Sequence, residues 1–236
     1  MPPAKSSPAW EAEGSVGIRK NMRPLSRVIV PEILDSLPPD DPRAIRSRRD
    51  LRWIDCYLGN SRWIVRELKS RISGPARIME IGAGGGWLCE SVHAALPASR
   101  LTGLDLVPRP PGLPSAIDWK CGDFFQTLGD TDAEVCIGSL ILHHFTDPAL
   151  RELGERLQSF RQIVFCEPLR ARLPLFLSKL SNPFLGEVTR HDMPVSIRAG
   201  FRQGELPGLF GLDSKKWHIR ELSHWRGSLR LVASRR

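Results

Sequence analysis

Nowhere along the 236 residues does an apolar run approach the roughly 20 residues that a membrane span requires. The opening stretch, MPPAKSSPAWEAEGSVGIRK, has no apolar h-region, so no secretory signal peptide is expected there and the protein is expected to be cytoplasmic. Its small, polar, proline-containing composition without periodicity predicts disorder over residues 1–20. The five cysteines, Cys56, Cys89, Cys121, Cys136 and Cys166, are odd in number and scattered, with no Cys-x-x-Cys pair and no Cys/His spacing. That argues against a disulfide framework and against structural zinc, and leaves reduced, buried thiols as the expectation. Internal repeats are absent too. At 41% hydrophobic the chain is long enough for one sizeable core with a small appendage.

Charge is present but unevenly spread. The net charge is +8, with 14 basic and 9 acidic side chains in residues 1–75, 8 and 12 in residues 76–170, and 12 and 5 in residues 171–236. Basic flanks of this kind could neutralise nucleic-acid phosphates. Yet the run RAIRSRRDLRW (43–53) is interleaved with apolar positions at helical spacing, so a solvated helix face accounts for it equally well.

The organisation follows from hydrophobic period and punctuation. PLSRVIVPEILDSLP (24–38) predicts one or two short helices around Pro31. Asp40 or Asp41 is placed to cap a helix running to about Trp53, and Trp63, Ile64, Leu68 and Ile72 mark another that ends at Gly74. From Pro75 the texture changes to strands in ARIMEIGAG, SRLTGLDLV, SAIDWKCGDFF, AEVCIGSLILHHF and RQIVFCEPL. Helices fall in GWLCESVHAALP and in DPALRELGERLQSF, the latter with Asp147 as N-cap and Pro148 at the first position. Two extended runs around Trp225-Arg226-Gly227 follow. This alternation predicts an α/β fold with a mostly parallel sheet covered on both faces.

The most informative stretch is IMEIGAGGGW (78–87). A phosphate-binding P-loop needs a lysine after its glycines, and none follows. A dinucleotide turn needs a third glycine where Trp87 stands. What remains is an acid two residues before the first glycine, in the order Glu80-x-Gly82-x-Gly84-x-Gly86. This resembles motif I of class I S-adenosylmethionine (SAM) dependent methyltransferases, whose cofactor is cationic and carries no phosphate. Further matches come in order: Asp105 in LTGLDL, Asp123 and Phe124 in CGDFF, Ser139 with Leu142-His143-His144-Phe145 in GSLILHHF, and FCEP. The last two segments look like those of the ubiquinone-biosynthesis-like small-molecule branch.

The resemblance, over about residues 50–236, implies a Rossmann-like seven-stranded sheet, mostly parallel with an antiparallel final strand. It implies an N-terminal helical lid (21–74), a SAM-binding domain (75–236) and an acceptor-side insertion at about 171–212. It assigns SAM to Glu80, Gly82, Gly84, Gly86, Asp105, Asp123, Phe124 and Ser139, with Asp105 on the ribose hydroxyls and Asp123 on the adenine. The segment SLILHHF stands where nucleic-acid amino-methyltransferases have Asn/Asp-Pro-Pro-Tyr/Phe, and the chain contains no Pro-Cys dipeptide for a cytosine-C5 enzyme. A nucleic-acid partner is therefore not expected, although tRNA or rRNA methylation stays open as an alternative, as does a non-catalytic SAM-binding module. The insertion is rich in Leu, Phe and Pro, which suggests a small hydrophobic or aromatic acceptor methylated on a phenol or enol oxygen. His191, paired with Asp192, is the expected general base, supported by His143, unless that pair merely caps a helix. Magnesium-type spacing of carboxylates is missing, so metal independence is expected.

Overall fold

The computed structural model describes residues 25–128 and 131–236; the segment read as disordered lies outside the described residues. Short apolar runs closed by Gly, Asp or Pro form seven strands: β1 (Arg77–Ile81), β2 (Arg100–Asp105), β3 (Ile117–Cys121), β4 (Val135–Ser139), β5 (Gln162–Pro168), β6 (Trp217–His224) and β7 (Ser228–Arg235). They build one sheet in the order β3-β2-β1-β4-β5-β7-β6. Strands β1 to β5 are parallel, and β7 runs antiparallel to both of its neighbours. Every residue of β5 is buried, as a central parallel strand requires. After β3 the chain returns to the other side of β1, so the crevice at the carboxyl ends of β1 and β4 is a topological switch point where ligands bind in such sheets.

Alternation along β1 sends Met79 and Ile81 to one face and Ile78 to the other, and Glu80 shares the side of Ile78. The Ile78 face is covered by α3 (Asn60–Arg71) through Trp63, Ile64 and Leu68 and by α4 (Trp87–Ala95) through Leu88, Cys89 and Val92. The opposite face is covered by Leu150, Leu153 and Leu157 of α6 (Asp147–Leu157) with Phe124, Leu206 and Phe210. Fully burying side chains such as Ile64 and Leu68 contributes about 1.5–3 kcal/mol each. Thus α3, which the sequence assigns to the lid, is a layer of the sandwich. Only α1 (Ile33–Ser36) and α2 (Pro42–Leu58) lean across to α8 (Glu187–Ala199), with α7 (Arg172–Leu180) beside them.

Local chemistry sets the boundaries. Asp41 caps α2, accepting the Arg43 N–H at 2.7 Å. The helix runs past Trp53 to Leu58 and stops at Gly59, whose φ of 68° is left-handed backbone that costs glycine little. Thr146, one residue before the expected Asp147, caps α6; Asp147 instead meets Arg27 at 2.6 Å. Cys89, Cys136 and Cys166 are buried as anticipated, whereas Cys56 and Cys121 face outward, and all five are free thiols. Among the described residues no helix is long and apolar enough to cross a membrane.

Candidate active site

The glycine turn between β1 and α4 is shaped by what surrounds it. Gly82 has φ 66°, and a Cβ there would run into the side chain of Ile141, so the backbone approaches the β4 end as only glycine allows. Gly84 and Gly86 also have positive φ. Glu80, ahead of the turn, is 3% exposed, and its Oε2 is buried without a partner among the described residues. Burial pushes its carboxyl up to about 8, against a hydrogen bond with Cys89 and with help from the charges of Asp105 and Asp55. Ser139, closing β4, likewise has a buried Oγ without a partner. Leu140 follows with φ 59°, a strained conformation for a branched side chain, typically about 1–3 kcal/mol, which marks this corner.

Asp105 and Asp123 stand at the ends of β2 and β3. Asp105 accepts the Gly84 N–H at 2.7 Å through one oxygen and the Val107 N–H at 3.1 Å through the other, tying the glycine turn to the loop after β2. The Gly122 N–H bonds the Asp105 carbonyl at 2.8 Å. Asp123 caps a short helix, α5 (Phe124–Thr127), by accepting the Phe125 N–H at 2.8 Å. Phe124 is buried against Phe125 and Phe145.

Beyond β4 a 3₁₀ turn, Leu142–His144, is held by Glu167 at the end of β5. The fully buried Glu167 carboxylate accepts the N–H groups of Ile141 (2.9 Å) and Leu142 (2.8 Å) and bonds Nδ1 of His143 (2.9 Å). On its other side His143 Nε2 lies 3.3 Å from Glu32, just ahead of α1. Burial alone would lower the His143 value, but hydrogen bonds and charge from Glu167 and Glu32 push it up to about 9, so at neutral pH the ring is an imidazolium between two carboxylates. The same contact holds Glu32 below the usual carboxylate range against its burial. His144 stacks on His143 with 4.2 Å between ring centroids, and its Nδ1 lies 3.4 Å from Asp35. Glu32, His143 and His144 present potential ligand atoms within 4.8 Å of one another, a trio the sequence did not anticipate. Both ring nitrogens of His143 already face carboxylates, Glu167 at 2.9 Å and Glu32 at 3.3 Å.

The pair expected to supply the base is placed differently. His191 and Asp192 lie inside α8 rather than at its end, with Nδ1 and Oδ1 2.9 Å apart. The His191 side chain is 53% exposed and is not part of the cavity wall. Asp192 is buried on that wall, and its carboxylate accepts the N–H groups of Ile33 (2.9 Å) and Leu34 (3.0 Å). It therefore caps α1, a helix some 160 positions away in sequence, instead of orienting a base. Arg27 completes the anchorage: it donates to the carbonyls of Ala199 (2.7 Å) and Phe145 (2.7 Å), and its guanidinium lies over the Phe201 ring. His191 thus stands outside the cavity wall, and the Asp192 carboxylate is shared between His191 and the two backbone N–H groups of α1.

A cavity of about 1060 Å³ joins these parts. Glu80, Gly82, Gly84 and Ser139 line it together with His143, His144 and Asp35 and with the apolar side chains of Leu51, Leu177 and Met193. Gly86, Asp105, Asp123 and Phe124 are not part of this wall. The volume is at the upper end of the usual range for small-molecule sites, enough for a cofactor with an acceptor. Glu167 and Glu32, which sequence reasoning missed, are central here. The only signal for the first was the acid closing the apolar strand in FCEP, and nothing near Glu32 marked it.

No protein-family model matches the chain, and no curated protein matches it by sequence. Solved structures do resemble it. The human N-acetylserotonin methyltransferase in complex with SAM aligns at 18% identity with a TM-score of 0.59, over 85% of this chain and 61% of that one, so this chain spans less than two thirds of its length. The plantazolicin methyltransferase BpumL, in complex with a triazolic desmethylPZN analog and SAH (S-adenosylhomocysteine), aligns at 12% identity and TM-score 0.65, over 86% of this chain and 93% of that one. The related BamL complex gives 11% identity and TM-score 0.66, over 86% and 92%. At such identities the likeness speaks to architecture, and together with the strand order it establishes that this chain has the Rossmann-like methyltransferase fold.

Proposed function

We propose that this protein is a SAM-dependent methyltransferase that transfers a methyl group to an oxygen of a small hydrophobic or aromatic acceptor. The observation that carries the reading is Glu80: a buried carboxyl with an unpartnered oxygen, in the wall of a large cavity beside a turn that needs glycine. A cationic ligand without phosphate meets that need, because it favours the ionised carboxylate that burial otherwise disfavours. The fold shared with SAM- and SAH-bound methyltransferases supports the same conclusion. When bound, the cofactor supplies an electrophilic methyl group on a sulfonium.

The residues of the chain then position, desolvate and deprotonate. Glu80 and the glycine turn hold the cofactor end, with Asp105 fixing Gly84 from behind. Leu51, Leu177 and Met193 exclude water around the acceptor, and such orientation supplies much of the rate in a direct transfer. His143, held between the Glu167 and Glu32 carboxylates, keeps the 3₁₀ turn in place beside the acceptor. The proton acceptor is His144, which lines the cavity with one nitrogen beside Asp35 and the other available to the acceptor hydroxyl. Calorimetry should give micromolar-range binding of SAH and none of NAD. With a phenol panel and labelled SAM, His144→Ala should lower turnover about 100-fold at unchanged SAH affinity. Tighter binding of NAD than of SAH would overturn the cofactor assignment, and near-normal turnover of His144→Ala would remove the base.

A further inference from the structure

Helix α7 has the reverse of the polarity that water favours. Its Ser178 is 3% exposed and donates to the Leu175 carbonyl at 2.8 Å, whereas Leu173, Phe176 and Leu180, spaced to share one helical face, are 55%, 63% and 64% exposed. Phe184, which ends the following 3₁₀ turn (Asn182–Phe184), is 81% exposed. Single apolar residues on a surface are ordinary, but a contiguous set marks an interaction site.

The set continues around the cavity mouth. Trp53 and Tyr57 of α2, 66% and 49% exposed, belong to the cavity wall together with Leu180 and Phe184. A side chain that is both cavity wall and largely in solvent stands at the rim. Arg226, in the turn between β6 and β7, closes the circuit: its guanidinium lies over the rings of Tyr57 (5.5 Å) and Trp225 (5.0 Å), and it donates to the Tyr57 carbonyl at 2.8 Å. Gly227 beside it is packed close against Pro174 of α7. The α2–α3 junction ties this rim to the sheet, because Arg230 of β7 donates to the Leu58 carbonyl at 2.8 Å and the Ser228 hydroxyl donates to Asn60 at 2.7 Å.

The exposed charges of the rim have one sign. Over residues 49–58, 172–184 and 225–226 the exposed charged side chains are Arg49, Arg52, Arg172 and Lys179, while the acids of these segments, Asp50 and Asp55, are buried and half-buried. A two-fold interface brings one patch against itself, so a second copy of the chain would set these cations against one another. An anionic lipid surface complements them. It also takes Trp and Tyr at headgroup level and Leu and Phe below it, and it dissolves the apolar kind of molecule that the cavity suits.

We propose that the cavity mouth is a docking face for an anionic bilayer, with α7 and the turn after it seated at the headgroup–acyl boundary and the acceptor entering directly from the lipid. The entry route rests on the reading of the cavity as a methyltransferase site, whereas the docking face rests on the surface alone.

Co-sedimentation of the full chain with vesicles tests this, using phosphatidylcholine alone and phosphatidylcholine mixed with phosphatidylglycerol. The wild type should bind the mixed vesicles at least about 10-fold more tightly than the neutral ones and lose that preference in high salt. Leu173→Ser/Phe176→Ser, at two positions outside the cavity wall, should weaken binding to mixed vesicles at least about 10-fold, with thermal unfolding and SAH affinity at wild-type values. Arg172→Glu/Lys179→Glu should abolish the preference for anionic lipid. Vesicle binding by Leu173→Ser/Phe176→Ser within about twofold of wild type would overturn the proposal, as would a wild type that pellets with neither vesicle. A concentration-dependent dimer that this variant dissociates, without vesicle binding, would give the face to a second copy and overturn it too. A wild type that binds mixed vesicles but not SAH would bring down the methyltransferase reading and the entry route with it, and would leave the docking face standing.

Discussion

The two ends of the cavity are built in opposite ways. At the glycine turn itself, the polar contacts that fix its shape join segments close in sequence: Gly84 and Asp105 are 21 residues apart. At the other end, Asp192 holds α1 across 159 positions and Arg27 reaches Phe145 across 118. The first end is a strand–turn–helix unit whose geometry follows from local backbone requirements. The second is assembled by charged side chains that act as fasteners between distant segments. The lesson is that a buried acid has a different meaning at each end. Glu80 has an oxygen to spare, whereas Glu167 and Asp192 are occupied by backbone N–H groups and a histidine ring nitrogen each.

The contrast can be broken most sharply at Gly82. Gly82→Ala introduces a Cβ into the space of Ile141 on backbone of positive φ, so SAH affinity should fall at least about 100-fold, read by calorimetry on the folded variant. An alanine variant that binds normally would mean that the turn does not need its close approach to β4.

The next effect belongs to the fasteners. Asp192→Ala leaves the N–H groups of Ile33 and Leu34 unsatisfied and should destabilise the protein by about 1–3 kcal/mol in denaturant unfolding. His191→Ala, at a 53% exposed side chain, should change stability by less than about 0.5 kcal/mol and leave turnover near normal. Equal effects of the two substitutions would restore the pair as a unit. The sequence reading took His191 as the base with Asp192 as its partner, and the reason is instructive. Adjacent residues on a helix point in different directions, so His191-Asp192 looked like a dyad in one dimension although only the aspartate faces inward.

That is also the measure of what was legible. The strand–helix alternation and the two closing extended runs follow from hydrophobic period and turn residues, which are short-range signals, whereas the antiparallel final strand was implied by the family resemblance. The roles of Glu32, Asp35 and Glu167 were not legible, because each depends on which distant segment folds against it. The same holds for α3: its apolar positions were seen, but whether they met the sheet or covered a ligand is a question of tertiary placement.

The smallest effects sharpen the comparison through pH. Glu80 sits at about 8 in the folded protein against an ordinary 4.5, so the folded state holds an extra proton between those values and stability falls as pH rises through that window. A cation bound there must expel the proton. SAH affinity should therefore climb several-fold from pH 6 to pH 8, with proton release measured in buffers of different ionisation enthalpy, and the climb should flatten in Glu80→Gln. His143 has its raised value through attraction instead: its contribution is complete below about 6.5 and is lost as pH rises through about 9. Amide exchange over residues 25–36 should accelerate beyond the intrinsic rate above pH 9. A strap that stays protected there would show that Arg27 and Asp192 suffice.

The fastening of the α2–α3 junction by Arg230 has a consequence for biosynthesis. The contact spans 172 positions, and the glycine turn is translated long before β7. A ribosome-bound chain can close β1, the turn and α4 early, but Leu58 and Asn60 have no seat until the last strand has slotted between β5 and β6. Long-range pairing of this kind is slow to form. The α2–α3 junction is thus completed only when β7, some 170 positions downstream, has joined the sheet, well after the strand–turn–helix unit around the glycine turn is able to close.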